Sequence, residues 1–105
     1  MTNFVLLYNG GGMPETEEEQ AAVMAAWGAW YEAIGANLVD GGGPFSPAAN
    51  TVNSDSNVSA GPVGTPSTGY TIISADSLAA ATEVAKGCPI LVDGGQVSVY
   101  ETMQM

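Results

Sequence analysis

GYTIISADSLAAATEVAKG, residues 69–87, is the stretch that decides the fold class of this chain. Residues 70–74 are β-branched or aromatic apart from the final serine, a composition that predicts a strand. Asp76 or Ser77 then caps a helix that continues to about Lys86, because a short polar side chain accepts a hydrogen bond from the first helical turn. The stretch therefore predicts a strand followed directly by a helix.

Turn residues mark the end of this helix and the start of the next strand. Gly87 stops the helix, Pro89 prevents its restart, and Lys86 suits its negative end. Residues 96–102 alternate and predict the last strand. The predicted inward stripe of the helix consists of Leu78, Ala81 and Ala85. One face of the last strand holds Val97, Val99 and Glu101, and the other holds Ser98 and Tyr100.

The N-terminal third predicts another strand and another helix. Residues 4–8 are a short apolar run that predicts a strand buried on both faces. Thr16 with Glu19 three residues later is a capping box, so a helix is expected from about Glu17 to Ile34. One stripe of this helix is predicted to consist of Val23, Trp27, Trp30 and Ile34.

The middle of the chain is less regular. Residues 37–39 predict a short second strand, and residues 46–68 are rich in Ser, Asn, Gly and Pro. Two weak strand patterns, at residues 50–53 and 57–59, favour a hairpin that turns around residues 54–56. A flexible loop is the alternative interpretation of this segment.

The order of elements predicts one domain over residues 1–105 with a ferredoxin-like α+β sandwich. In that fold both helices cover one face of an antiparallel sheet. The other face would be bare, although the first strand is apolar on both sides. We therefore expect the bare face to pack against a second copy, which gives a homodimer. A hydrophobic content of 46% beside only 11% charged residues also favours a covered surface.

The charge of the chain excludes several classes of partner. The net charge is −10, Lys86 is the only basic residue, and there is no Arg or His. A nucleic-acid backbone and an anionic membrane surface would both be repelled. With no His and the single Cys88, neither a zinc site nor an intramolecular disulfide is expected. No signal peptide or membrane span is visible, so we expect a cytoplasmic protein. We expect no metal and no cofactor.

Four segments in order resemble the YCII-related domain family, including its DGPF-type branch. They are residues 69–73, 76–81, 85–89 and 94–99, and the helix with Trp27 and Trp30 and the turn at residues 38–44 add to the likeness. The resemblance covers nearly the whole chain. It implies a ferredoxin-like fold that dimerises into an α/β barrel, with a ligand cavity in or beside the barrel.

The chain departs from this family where chemistry is expected. Many members carry a His in the first helix, paired with an Asp before the proline that follows the second helix. Here the helix position, around Met24, is apolar, and Cys88 stands at the Asp position. The Asp-Gly-Pro-Phe segment of one branch corresponds to residues 60–63, which read Ala-Gly-Pro-Val. Catalysis by a His-Asp dyad is therefore not carried over, and the catalytic residues, if any, stay unassigned.

Aromatic side chains with polar tips are the best candidates for contacting a ligand in such a cavity. Cys88 is expected to be a packed or pocket-lining thiol. Trp27 and Trp30 are expected to pack in the core, or one of them to line the cavity. The candidate ligand-binding residues are Tyr8, Trp30, Tyr70, Cys88 and Tyr100.

Three functional hypotheses follow from the sequence. The first is a dimeric domain that binds a small, uncharged organic molecule. The second is a lyase or dehalogenase that uses a carboxylate base, which would come from Asp40, Asp76, Asp93 or Glu101. The third is a protein-interaction module without catalysis.

Overall fold

The computed structural model describes residues 1–12 and 15–103 of the chain. It contains strands β1 to β6, helices α1 and α2, and two short 3-10 turns. The strands are β1 Thr2–Asn9, β2 Leu38–Pro44, β3 Asn50–Val52, β4 Val58–Ala60, β5 Ser67–Ala75 and β6 Gln96–Glu101. The helices are α1 Glu17–Ile34 and α2 Leu78–Ala85, and the 3-10 turns are Gly35–Asn37 and Pro89–Leu91.

Four strands form one antiparallel sheet in the order β2-β5-β1-β6. β1 and β5 lie at the centre, as expected for the two strands with the longest apolar runs. Helix α1 connects β1 to β2 across β5, and helix α2 connects β5 to β6 across β1, whereas the neighbours β2 and β5 are joined by the segment that contains β3 and β4. This arrangement confirms the predicted ferredoxin-like α+β fold.

The core lies between the helices and one face of the sheet. β1 and β5 show strict alternation of buried and half-buried residues, so each strand has one covered face. The fully buried strand side chains are Phe4, Leu6, Thr71 and Ile73. The helices contribute Trp30, Ala81 and Ala85, and Cys88 follows α2 into the same core.

The second helix was predicted correctly in its position but not in all of its inner stripe. Ser77 is the N-cap, and its hydroxyl accepts the Ala80 amide at 3.1 Å. Leu78, however, is 48% exposed, so its predicted place in the inward stripe is wrong. Leu78 is the first residue of the helix, and side chains in a helix point back toward its N-terminus. The Leu78 side chain therefore lies at the edge of the core and not inside it.

The other face of the sheet is uncovered by the residues of the single chain that the structure describes. Val5 and Leu7 of β1 and Ile72 of β5 lie on it, and each is half-buried by its neighbours alone. The expectation that β1 is buried on both faces is therefore met on one face only within one copy. We call this surface, with Tyr70, Ser98 and Tyr100, the open sheet face.

β2 is longer than predicted and irregular. It continues through three glycines to Pro44, but its pairing with β5 shifts register twice, between Leu38 and Asp40 and between Asp40 and Gly43. Gly42 has φ +65°, and a Cβ there would overlap the Tyr70 carbonyl oxygen. Glycine is thus required at this bulge.

A hairpin projects from the end of the sheet. β3 and β4 pair antiparallel, Asn50 with Ala60 and Val52 with Val58, which confirms the hairpin rather than the loop. We call residues 46–66 the arm. The radius of gyration is 15.1 Å, whereas a compact chain of this length has about 13 Å. The arm is the source of the difference, because only Thr51 and Gly61 within it are half-buried and its other residues are exposed.

Candidate functional site

A chain of hydrogen bonds lies inside the core at the centre of the sheet. The Tyr8 hydroxyl donates to Oγ1 of Thr71, and the Thr71 hydroxyl donates to the Gly41 carbonyl at 3.1 Å. The Tyr31 hydroxyl donates to the same carbonyl at 3.2 Å. The irregular course of β2 presents this carbonyl to the helical side of the sheet. Burial of hydroxyls is costly unless they are paired, so this network fixes the position of each group.

Aromatic rings surround the hydrogen-bonded groups. Trp27 packs edge-on against Tyr8, with ring centroids 5.4 Å apart and planes at 69°. Trp27 also meets Trp30 at 5.6 Å and Tyr31 at 5.9 Å. The contacts with Tyr8 and Trp30 are edge-to-face, and such contacts stabilise beyond the area that they bury, whereas the Tyr31 ring is tilted by 48°. The rings with Thr71, Cys88 and the Gly41 carbonyl form what we call the Tyr8 cluster.

Trp30 connects the two helices. Its indole Nε1 donates to the carbonyl of Val84 in α2 at 3.1 Å, and its ring lies against the Gly87 backbone. A Cβ on Gly87 would sit 3.3 Å from the Trp30 ring, which explains the small residue there. Trp30 thereby positions the segment that leads into Cys88.

Cys88 is a buried free thiol beside the Tyr8 hydroxyl. Burial raises the pKa of the Cys88 thiol, and the Ile90 backbone amide and the Tyr8 hydroxyl oppose this only in part. Burial also raises the pKa of Tyr8 well above its ordinary value of 10.0, despite its hydrogen bond to Thr71. Both groups are therefore protonated and uncharged at neutral pH.

The structure brings together three of the five predicted ligand-binding residues. Tyr8, Trp30 and Cys88 belong to the Tyr8 cluster on the helical side of the sheet. Tyr70 and Tyr100 lie on the open sheet face, on strands that flank β1 on either side. One copy of the chain therefore does not unite all five around a single space.

Tyr70 has its own polar partner on the open sheet face. Its hydroxyl donates to Oδ2 of Asp40 at 3.1 Å, and Phe45 stacks on its ring at 5.9 Å. The hydrogen bond that the phenol donates to Asp40 raises the pKa of Tyr70, and repulsion between the carboxylate and a deprotonated phenol adds to this. Asp40 also accepts the Gly42 amide at 2.9 Å, which holds the β2 bulge.

The four carboxylates proposed as bases all lie at exposed positions. They are Asp40, Asp76, Asp93 and Glu101. The recorded side-chain partners of Asp40 are Gly42 and Tyr70, both away from the Tyr8 cluster. A carboxylate in water is a weaker base than a buried one, because solvation favours its charged form.

Sequence reasoning missed three members of the cluster as candidates for binding. Thr71 reads as an ordinary β-branched strand residue, and only the register that pairs Leu6 with Thr71 places it beside Tyr8. Trp27 was assigned to the helical stripe, and Tyr31 was not selected. The available signal was spacing, because Tyr31 follows Trp27 by four residues and so shares its helix face.

Other features of the described residues lie apart from this cluster. A shallow groove of about 320 Å³ runs between the ends of β1 and β6, lined by Met1, Thr2, Asn3, Thr102 and Met103. Within residues 1–12 and 15–103, no group of three or more His, Cys, Asp or Glu side chains is arranged to hold a metal ion. In the same residues neither helix has the length and apolar character needed to cross a membrane.

The raised pKa values predict an alkaline loss of stability. Above pH about 8.5 the unfolded chain loses the Cys88 proton, and above about 10 it loses the Tyr8 proton, while the folded chain holds each proton to a higher pH. The unfolded state then binds fewer protons, so the free energy of unfolding falls as pH rises. Urea unfolding from pH 7 to 10.5 measures this, and Cys88→Ala should flatten the fall between 8.5 and 10. An unchanged slope in that variant would contradict the assignment.

The fold and the cluster define the class of protein, a two-layer α+β domain with an uncharged aromatic and hydroxyl centre between its layers. No family model matches the chain, and no curated protein matches it. Among solved structures it is similar to 5-chloro-2-hydroxyhydroquinone dehydrochlorinase from Burkholderia phenoliruptrix AC1100, in complex with 2,5-dihydroxybenzoquinone. The similarity covers 98% of this chain and 95% of that one, with TM-score 0.57 and 18% identity. At this identity the likeness establishes a shared fold.

Proposed function

We propose that the chain is a homodimeric domain that binds a small, uncharged organic molecule at the Tyr8 cluster. The observation that carries the proposal is the composition of the cluster. It joins aromatic rings with hydroxyl, thiol and carbonyl groups, and none of its members is charged at neutral pH. Binding sites for small organic ligands combine these two ingredients, an apolar wall and a few fixed polar groups.

The cluster favours a ring that carries oxygen atoms. Trp27 and Tyr31 are only half-buried, so the ligand would approach along the side of α1 that faces β2. The Tyr8 hydroxyl has acceptor capacity beyond the hydrogen bond that it donates to Thr71. A charged ligand would lose its hydration here without gaining an opposite charge, so neutral molecules are favoured.

Dimerisation is proposed from the open sheet face. Val5, Leu7 and Ile72 form an apolar strip along its centre, and no element within residues 1–12 and 15–103 covers them. A twofold contact would bury this strip against its own copy, which is the usual geometry of homodimers. Tyr70 and Tyr100 would then lie within or beside the contact.

The solved structure with the same fold supports the choice of ligand class. The structure of that protein is a complex with 2,5-dihydroxybenzoquinone, a small oxygenated ring. For this chain we therefore select neutral phenols and quinones as the first probes. The compound 2,5-dihydroxybenzoquinone serves as the charged comparison, because its hydroxyls are vinylogous acids that ionise below neutral pH. The third hypothesis, a protein-interaction module, gains no support from the Tyr8 cluster, because the cluster lies in the core.

A thermal-shift experiment with Tyr-to-Phe variants tests the ligand proposal. A ligand at about ten times its dissociation constant stabilises by about 1.4 kcal/mol. This corresponds to a rise in Tm of about 5–10 °C for a domain of this size. Tyr8→Phe should reduce the rise, because it removes the hydroxyl, whereas Tyr100→Phe should not. The reverse result would place the ligand on the open sheet face, and no rise with any probe would refute the proposal.

Dehydrochlorination is a second candidate function, favoured by the activity in the name of the similar structure. The reaction removes a proton and a chloride ion from the substrate, so it requires a base. Tyr8 and Cys88 are protonated at neutral pH, and the candidate carboxylates are exposed. Chloride release from 5-chloro-2-hydroxyhydroquinone, measured on the same samples, decides between binding alone and turnover. Turnover that rises with pH and disappears in Cys88→Ala would assign the thiolate as base.

A further inference from the structure

The arm is a preformed structure rather than an irregular connection. At its tip the Asn53 amide donates to the Asn57 carbonyl at 2.8 Å, and the Ser56 amide donates to the Asn53 carbonyl at 2.9 Å. Asp55 accepts both the backbone amide and the side-chain amide of Asn57, at 3.0 Å each. These hydrogen bonds lower the pKa of Asp55. The turn is therefore shaped by its own residues.

The base of the arm is tied to the domain. The Phe45 amide donates to the Thr68 carbonyl at 2.8 Å, and the Asn9 side chain donates to the Pro66 carbonyl at 3.0 Å. Higher up, the Gly61 amide donates to the Ala49 carbonyl at 2.9 Å. From that pair to the tip the arm extends about 17 Å at the rise of a β-strand. The direction of the arm is thus set by the domain.

The arm exposes apolar side chains that its own subunit does not cover. Val52 is 70% exposed, and its cross-strand partner Val58 is 63% exposed. Val63, in the returning segment, is exposed as well. A two-stranded hairpin without further packing is marginally stable in water. A hairpin that is already formed and exposes a valine pair is therefore suited to pack against another molecule.

The distribution of charge favours a second copy of the chain as the molecule against which the arm packs. The chain has a net charge of −10, so two copies repel unless they meet through uncharged surfaces. The arm contains one charged residue, Asp55, whose carboxylate is held by Asn57. The open sheet face is likewise uncharged along Val5 and Leu7, and the Asp40 carboxylate at its β2 edge accepts the Tyr70 hydroxyl. The two surfaces are continuous, because Phe45 at the base of the arm stacks on Tyr70 of the sheet.

We propose that the arm clasps a second copy of the chain, with Val52 and Val58 buried against the partner at the rim of the dimer. This inference rests on the dimerisation proposed above and adds an element to it. The base of the arm adjoins the open sheet face, where Phe45 stacks on Tyr70. Two such arms, related by the twofold axis, enclose the contact from both sides.

Charge-introducing variants test the clasp. V52K/V58K places two ammonium groups on the valine pair, and M24K/V92K places two at residues that are 74% and 88% exposed outside the arm. Both variants reduce the net negative charge equally, so general repulsion falls equally in both. Sedimentation over a dilution series is expected to show a dimer dissociation constant raised at least about tenfold in V52K/V58K only. Thermal unfolding of each variant checks that the fold persists.

Each outcome bears on the two proposals separately. A wild-type dimer whose dissociation constant is the same in V52K/V58K overturns the clasp and leaves the dimer standing. A wild-type chain that stays monomeric at every concentration overturns both. Hydrogen exchange gives an independent readout without substitutions, because the arm amides should exchange more slowly above the dissociation constant than below it. Equal exchange rates at the two concentrations would count against the clasp. So would arm amides whose exchange slows only when an unrelated protein is added.

Discussion

Replacing Trp30 with alanine is expected to lower the free energy of unfolding by about 3–5 kcal/mol. The side chain is buried between the two helices and the sheet, so its removal leaves a cavity in the core. It also leaves the Val84 carbonyl without its indole donor. Urea unfolding followed by circular dichroism measures the loss.

Met24→Ala is the matched control for this prediction. Met24 lies on the same helix but on its outer side, where substitutions change stability by about 0.5 kcal/mol or less. Trp30→Phe should fall between the two, since it keeps most of the ring but not the hydrogen bond. A loss below about 1 kcal/mol in Trp30→Ala would show that Trp30 does not hold the helices together.

The second large effect is expected at the β2 bulge. Gly42→Ala would place a Cβ on the Tyr70 carbonyl and force a positive φ on a residue with a side chain. The positive φ alone costs about 1–2 kcal/mol, and relief of the overlap requires β2 to move away from β5. We expect a total loss of about 3 kcal/mol, measured by urea unfolding.

A glycine-to-alanine substitution in a helix is expected to change stability in the opposite direction. Gly28 lies in the middle of α1, and a Cβ there meets nothing within 4 Å. Gly28→Ala should therefore stabilise the protein by about 0.5–1 kcal/mol, because alanine loses less backbone freedom in a helix. If both variants had the same stability, the bulge geometry described for Gly42 would be wrong. Because β2 carries the Gly41 carbonyl, Gly42→Ala should also weaken binding at the Tyr8 cluster.

The fold was predictable because local signals agreed with the global arrangement. The Thr16 and Ser77 caps begin their helices as expected, and the β-branched and aromatic composition of residues 70–74 predicts the strand that is β5. The extension of β2 to Pro44 was not predictable. Three consecutive glycines are read as a turn, and only pairing with β5 makes them a strand with two register shifts.

The site was predictable only in part. Period-two alternation shows that neighbours in a strand face opposite ways, but it does not relate one strand to another. Tyr8, Tyr70 and Tyr100 were therefore grouped by residue type, whereas the register pairs Tyr8 with Gly69 and puts Tyr70 opposite Leu7. Thr71 became a candidate only when that register was known.

The bulged course of β2 also limits how chains add to one another edge to edge when the protein is concentrated. A regular outer strand is a template for strands of other molecules and for fibril growth. β2 presents an interrupted edge that ends in a proline, which has no amide hydrogen. β6, in regular register from Gln96 to Glu101, is the other edge of the sheet. With one usable edge per chain, strand addition through this sheet stops at a pair and does not propagate into a filament.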